Sequence, residues 1–194
     1  MEAFLISTGI VALAEIGDKT QLLALVLAAR FRKPVPIILG ILVATLANHA
    51  LAGAAGAWIS AVLGPTAMRW ILGLSFIGMA AWTLKPDRLD DDDSSSERRA
   101  AASRFGVFGS TLVAFFLLEM GDKTQIATVA LAAKYAALGA VVLGTTLGMM
   151  IANVPAVLLG EVAASRLPMR LVHRFAAAIF FALGVTVLLG FASD

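Results

Sequence analysis

Cysteine is absent from the 194 residues, which excludes disulfides and thiolate metal ligands. Charge is scarce: Asp, Glu, Lys and Arg make up 14% of the chain, where a typical soluble domain carries roughly 25%. From Pro34 to Met68 none of the four occurs. The net charge of +2 is too small to point to a nucleic-acid partner. No positive n-region opens the chain, since Glu2 stands there, so no cleavable signal peptide is expected. What is abundant is apolar surface. Hydrophobic residues make up 60% of the sequence, with a mean hydropathy of +0.91. A soluble core of this length cannot hide so much, whereas a bilayer can act as its solvent. The sequence predicts an all-α integral membrane protein.

Charges and turn residues divide the chain into six apolar segments, at 3–29, 35–60, 68–84, 105–133, 135–160 and 171–191, with a turn at Gly64-Pro65. Between the third and fourth lies a different composition: Asp90 to Asp93, Ser94 to Ser96, then Glu97-Arg98-Arg99. Such a stretch is a polar, solvated linker. The expected organisation is a three-helix unit at 1–85, a linker at 86–104 and a second three-helix unit at 105–194. The two units repeat. Glu15-Ile16-Gly17-Asp18-Lys19-Thr20-Gln21 matches Glu119-Met120-Gly121-Asp122-Lys123-Thr124-Gln125, and the register continues through Arg30 with Lys134 and Gly40 with Gly144. It slips by one at Asn48 and Asn153. Three spans per unit would invert the second unit relative to the first, the arrangement of many secondary transporters, whose sites lie at the repeat interface.

Basic residues set the orientation. With the N-terminus outside, the cytoplasmic side receives Arg30, Arg32, Lys33, Lys85, Arg88, Arg98, Arg99, Arg104, Arg166, Arg170 and Arg174, and the outer side only Arg69 and Lys134. The expectation is a bacterial inner-membrane protein with a cytoplasmic linker and periplasmic termini. The lack of native cysteine makes this simple to check. A cysteine placed at Ser95 should resist an impermeant thiol reagent in intact cells, while one at Ser193 should react; the reverse pattern would invert the topology.

The repeated motif puts ionisable residues in the middle of spans one and four, where each costs roughly 2.5–3.5 kcal/mol on insertion scales. On an unbroken helix Glu15, Asp18 and Gln21 share one face, as do Glu119, Asp122 and Gln125. Two such helices facing each other would offer four carboxylates and two amide oxygens at one depth. Hard oxygens suit Mg²⁺, Ca²⁺ or Mn²⁺, and the absence of His and Cys from the motif argues against zinc or copper. Glu15, Asp18, Glu119 and Asp122 are the candidate metal ligands. Gly17 and Gly121 permit close approach or local unwinding. Thr20 and Thr124 would join the site only if the helix unwinds there. Lys19 and Lys123 balance part of the charge; the alternative role is an intrahelical i,i+4 pair with Glu15 or Glu119. Four carboxylates against two lysines leave two negative charges, which one divalent cation or about two protons would cancel.

Other polar residues of the spans have plainer readings beside the functional one. Asn48 and Asn153 are candidate ligands or gate residues, or interhelical hydrogen-bonding groups. His49 has no counterpart in the second unit and is read as a packing or interfacial residue. Trp58, Trp70 and Trp82 suit interfacial anchoring. The aspartate run solvates the linker. Gly-Asp-Lys-Thr superficially looks like a phosphate loop, but lacks that motif's upstream glycine.

With two copies of Glu-x-Gly-Asp-Lys-Thr, the chain resembles the GDT-type family of manganese and calcium transporters over nearly its whole length. The resemblance implies cation/proton exchange, with Glu15, Asp18, Glu119 and Asp122 binding the cation and Gln21, Gln125 and the threonines supporting. The partners would be a divalent ion, protons and the lipid bilayer. Mn²⁺ or Ca²⁺ would be the substrate and not a cofactor, and the expected activity is Mn²⁺ export. A Ca²⁺/H⁺ exchanger is the alternative within transport, and an intramembrane metal-dependent hydrolase the one from another class. The latter would want an Arg or His cluster beside the carboxylates, and none is evident.

Overall fold

The computed structural model describes residues 1–63, 65–84, 106–135, 137–159 and 169–190. The expected linker at 86–104, Gly64 of the expected turn, and Arg166 lie outside the described residues. Among the described residues all regular structure is helical: α1 (Glu2–Glu15), α2 (Lys19–Phe31), α3 (Pro34–Val62), α4 (Pro65–Thr83), α5 (Gly106–Glu119), α6 (Lys123–Tyr135), α7 (Leu138–Leu159) and α8 (Met169–Leu188).

Among the described residues two helices are long and apolar enough to cross a bilayer on their own, Pro34–Val62 and Leu138–Leu158. α3 starts with proline in its first turn, where no amide hydrogen is missed. At 1.5 Å per residue it extends roughly 43 Å, against a hydrocarbon core of about 30 Å. α7 carries Pro155 within it, which membrane helices tolerate better than soluble ones.

The first and fourth apolar segments are not single helices. Each breaks at the repeated motif into two short ones, α1 and α2 in the first unit and α5 and α6 in the second. The cause is a glycine turn. Ile16 sits at φ −64°, ψ 116°, Gly17 has φ 81°, and the Asp18 amide donates to the Glu15 carbonyl at 3.1 Å. These are the marks of a type II turn, whose third residue needs a positive φ that glycine adopts without steric cost. The second motif repeats it, with Gly121 at φ 81° and the Asp122 amide on the Glu119 carbonyl at 3.1 Å. The shared helical face expected for Glu15, Asp18 and Gln21 is therefore replaced by a turn with a helix end on either side.

Packing is reciprocal between the units. α1 lies along α7, α3 lies along α5 and α6, and α4 lies along α8. Glycines set the closest approaches. A Cβ on Gly40 would stand 2.9 Å from the Phe108 carbonyl oxygen, and one on Gly144 would stand 2.5 Å from that of Phe4. Phe4 and Phe108 correspond in the repeat, as do the two glycines, so the same contact is made twice with the units exchanged. Two apolar clusters fill the interior, one around Phe76, Leu131 and Phe180, the other around Leu27, Ile41 and Phe115.

The tightest approach is between α3 and α6, where a Cβ on Gly56 would lie 2.2 Å from the Val129 carbonyl oxygen. Backbone cannot yield as a flexible side chain would. Gly56→Ala should therefore lower stability by about 1–3 kcal/mol, the usual range for overpacking, read as a lower unfolding temperature in detergent. Gly78→Ala, whose Cβ would meet nothing within 4 Å, is the matched control and should leave that temperature unchanged or raised.

Candidate cation site

The two turns bring the chemistry of both motifs together. Glu15, Asp18, Glu119 and Asp122 are all buried. One carboxylate oxygen each from Glu15, Asp18 and Asp122 lies within 4.8 Å of the others; Glu119 is outside that group but joined to it through the Thr124 hydroxyl, which contacts both Glu119 Oε2 and Asp122 Oδ2. The set combines α1 and α5 at their C-terminal ends with α2 and α6 at their N-terminal ends. Neither unit assembles it alone.

The lysines cross between the units. Lys123 binds Asp18, and Lys19 reaches Asp122 at 3.6 Å. These ion pairs exchange the two motifs and differ from the i,i+4 pairing with glutamate that the spacing offers. Asp18 begins α2 in an extended conformation but does not cap it with its own side chain; its carboxylate turns to Lys123 instead.

The break also redirects the threonines and glutamines. Thr20 donates its hydroxyl hydrogen to Glu15 Oε2 at 2.7 Å, and Thr124 does the same to Glu119 Oε2 at 3.3 Å. Both threonines thus meet the condition set by their position, a helix unwound at the glycine. Gln21 Oε1 accepts from the Gly17 amide at 2.9 Å, and Gln125 Oε1 from the Gly121 amide at 2.8 Å. The amide oxygens expected to face a cation are engaged in closing the turns. Here they satisfy backbone donors freed by the break, which would otherwise be costly in a membrane.

Asn48 donates to the Phe116 carbonyl at 3.0 Å and Asn153 to the Met149 carbonyl at 3.1 Å. Phe116 lies one turn before Glu119. Asn153 adjoins Ala152, whose carbonyl accepts from Gln21 Nε2 at 3.0 Å. Both asparagines therefore flank the turns. His49 is fully buried within α3, which suits packing and not the interface. The carbonyls of Ala152 and Phe116 carry no side-chain signal and cannot be found from sequence.

Among the buried side-chain atoms that receive no hydrogen bond in the described residues, which include the Ser7, Thr45, Thr83 and Thr146 hydroxyls and both His49 nitrogens, are four oxygens related by the repeat: Glu15 Oε1, Glu119 Oε1, Asn48 Oδ1 and Asn153 Oδ1. Buried acceptors are nearly always satisfied, and these four are two matched pairs from the two units. Acceptors without donors, beside further carboxylates, are what a hard divalent cation would satisfy. The two motifs are not equally enclosed. The Lys123 side chain is 4% exposed and that of Lys19 21%, while Met120 is exposed and its counterpart Ile16 half-buried.

A family model described as "Divalent cation/proton antiporter GDT1" matches residues 3–91 and 107–194. The chain belongs to the GDT1 family. It is therefore a membrane protein of a transporter family whose substrates are a divalent cation and protons. Among GDT1-related proteins, one from Vibrio cholerae serotype O1, named "Putative manganese exporter", is 50% identical over 181 residues, covering 93% of this chain and 87% of its own. GDT1-like protein 3 of Oryza sativa, in both the indica and japonica subspecies, is 27% identical, covering 95% of this chain and 73% of its own. No solved structure matches the chain.

Proposed function

We propose that this GDT1-family chain exports Mn²⁺ in exchange for protons, with Glu15, Asp18, Glu119 and Asp122 as the binding carboxylates. The observation that carries the reading is the crossed cluster: buried carboxylates from both units, paired with two lysines and flanked by matched acceptor oxygens that lack donors. The name of the Vibrio cholerae relative favours Mn²⁺ over Ca²⁺ as substrate. An all-oxygen donor set also favours Mn²⁺ over the softer transition metals.

Charge supplies the mechanism. Four carboxylates and two lysines leave two negative charges in a region of low dielectric. One divalent cation cancels them, and so do about two protons, which we assign to the glutamates. Either loaded form can reorient across the bilayer at modest electrostatic cost, whereas the bare site carries uncompensated charge. Metal entering from the cytoplasm would release the protons, and protons from outside would release the metal.

The architecture we infer is six spans in two inverted three-helix units, 1–85 and 105–194. The linker at 86–104 would be cytoplasmic and the termini periplasmic, in the inner membrane. Supporting it are the sequence repeat, the basic-residue bias and the reciprocal packing at Gly40 and Gly144.

The test is a proteoliposome with an imposed pH gradient and the membrane voltage clamped. Mn²⁺ should move uphill in the direction opposite to the proton flow, with about two protons per ion and little net current. Metal flux indifferent to the pH gradient, or driven by voltage alone, would overturn the exchange reading.

A further inference from the structure

The last helix of each unit lies outside the cation site. α4 and α8 run antiparallel and touch closely at one end, where a Cβ on Gly184 would stand 2.9 Å from the Gly73 carbonyl oxygen. One turn further on, Phe76 and Phe180 stack with ring centroids 6.4 Å apart. Beyond this pair the facing residues are Ala80, Ala81, Ala177 and Ala178, too small to fill the space that the phenylalanines hold open. A groove of about 480 Å³ remains, bounded by these alanines with Leu84 and Phe181 along its edges. Both edge residues are more than half exposed, so the groove opens outward to the bilayer.

Arg174 stands at the end of this groove. It is exposed, and no carboxylate among the described residues pairs with it. Trp82, partly exposed near the same end of α4, suits the headgroup level, where membrane tryptophans collect. An apolar slot running down from one guanidinium at headgroup depth has the chemistry of a lipid acyl chain below an anionic headgroup. A second copy of the chain fits less well. α4 and α8 contain no Asp or Glu, so a two-fold contact through this face would bring basic residues together without an anion between them.

We propose that the α4–α8 groove is a binding site for an anionic phospholipid, with an acyl chain against the alanines and the phosphate on Arg174. Guanidinium and phosphate match in geometry as well as charge. The proposal rests on the membrane location of the chain and on none of the four site carboxylates, so its failure and that of the transport reading are separable.

Native mass spectrometry of the full-length protein in detergent, titrated with phosphatidylglycerol or phosphatidylcholine, tests it. The wild type should retain phosphatidylglycerol at lower concentration than phosphatidylcholine. Arg174→Gln should weaken phosphatidylglycerol binding about fivefold, the factor expected for one basic residue at an anionic headgroup, and should leave phosphatidylcholine unchanged. Arg174→Lys should keep most of the preference, which separates loss of charge from loss of fold. The pair Ala81→Leu with Ala178→Leu, filling the groove, should reduce retention of both lipids. Equal retention of the two lipids by the wild type, or no change in Arg174→Gln, would overturn the proposal. So would a concentration-dependent dimer that the groove-filling pair abolishes, since a second copy would then occupy the face.

Discussion

Glu15→Gln and Asp122→Asn are each expected to lower Mn²⁺ flux in proteoliposomes by about a hundredfold or more. Losing even a group that merely orients a metal ligand costs roughly 10–100-fold, and these substitutions remove carboxylates that we propose as ligands themselves. Both side chains are buried and both contribute an oxygen to the same 4.8 Å cluster, so neither can be replaced by water at no cost. The variants keep the shape of the native side chains and should reach the membrane in normal amounts, which immunoblotting of the membrane fraction would show. Asp18→Asn and Glu119→Gln should behave alike. Neutralising Asp91 and Asp92 together should leave flux unchanged. A wild-type rate in Asp122→Asn beside a dead linker variant would mean that the site has been misplaced.

The second large effect separates the two lysines, which the repeat makes equivalent in sequence. Lys123→Gln strips a buried aspartate of its ammonium partner, and breaking a buried ion pair from one side typically costs about 3–5 kcal/mol. Lys19 is partly exposed and 3.6 Å from Asp122. Water reaches that ammonium and screens the pair more than the enclosed one, although Asp122 itself is buried, so Lys19→Gln should cost less than Lys123→Gln. Thermal unfolding in detergent should show a large drop for Lys123→Gln and a smaller one for Lys19→Gln. Combining Lys123→Gln with Asp18→Asn should recover much of the lost stability, because the uncompensated charge is gone, yet it should not restore transport. Equal shifts for the two lysines would contradict the asymmetry described for the site.

The long helices were legible from sequence because composition alone decides them. The charge-free stretch from Pro34 became α3, and the apolar segment at 68–84 became α4, Pro65–Thr83, which takes Pro65 of the expected turn as its first residue. The breaks at the motifs were legible only as an option. Glycine within a membrane helix serves close packing as readily as a turn, and periodicity cannot tell Gly17, which turns, from Gly40, which packs. The four carboxylates stood out because ionisable groups are costly at that depth. The partners of the lysines did not. Glu15 and Lys19 stand four residues apart, so the local rule offered a pair that the turn at Gly17 makes irrelevant. Crossing between units is a property of how the repeats meet, and no spacing along the chain encodes it.

That crossing makes the two units mutually dependent. Lys123 serves an aspartate of the first unit, and Lys19 one of the second. Severed between residues 86 and 104, the chain would become two polypeptides, each carrying a carboxylate, buried in the intact protein, whose counterion resides on the other. Neither fragment would be a smaller transporter; each would be an orphan, fit for degradation unless its complement is made in the same cell. The duplication written in the sequence thus records two copies that have become indispensable to one another, joined less by the tether between them than by the exchange of charge at their centre.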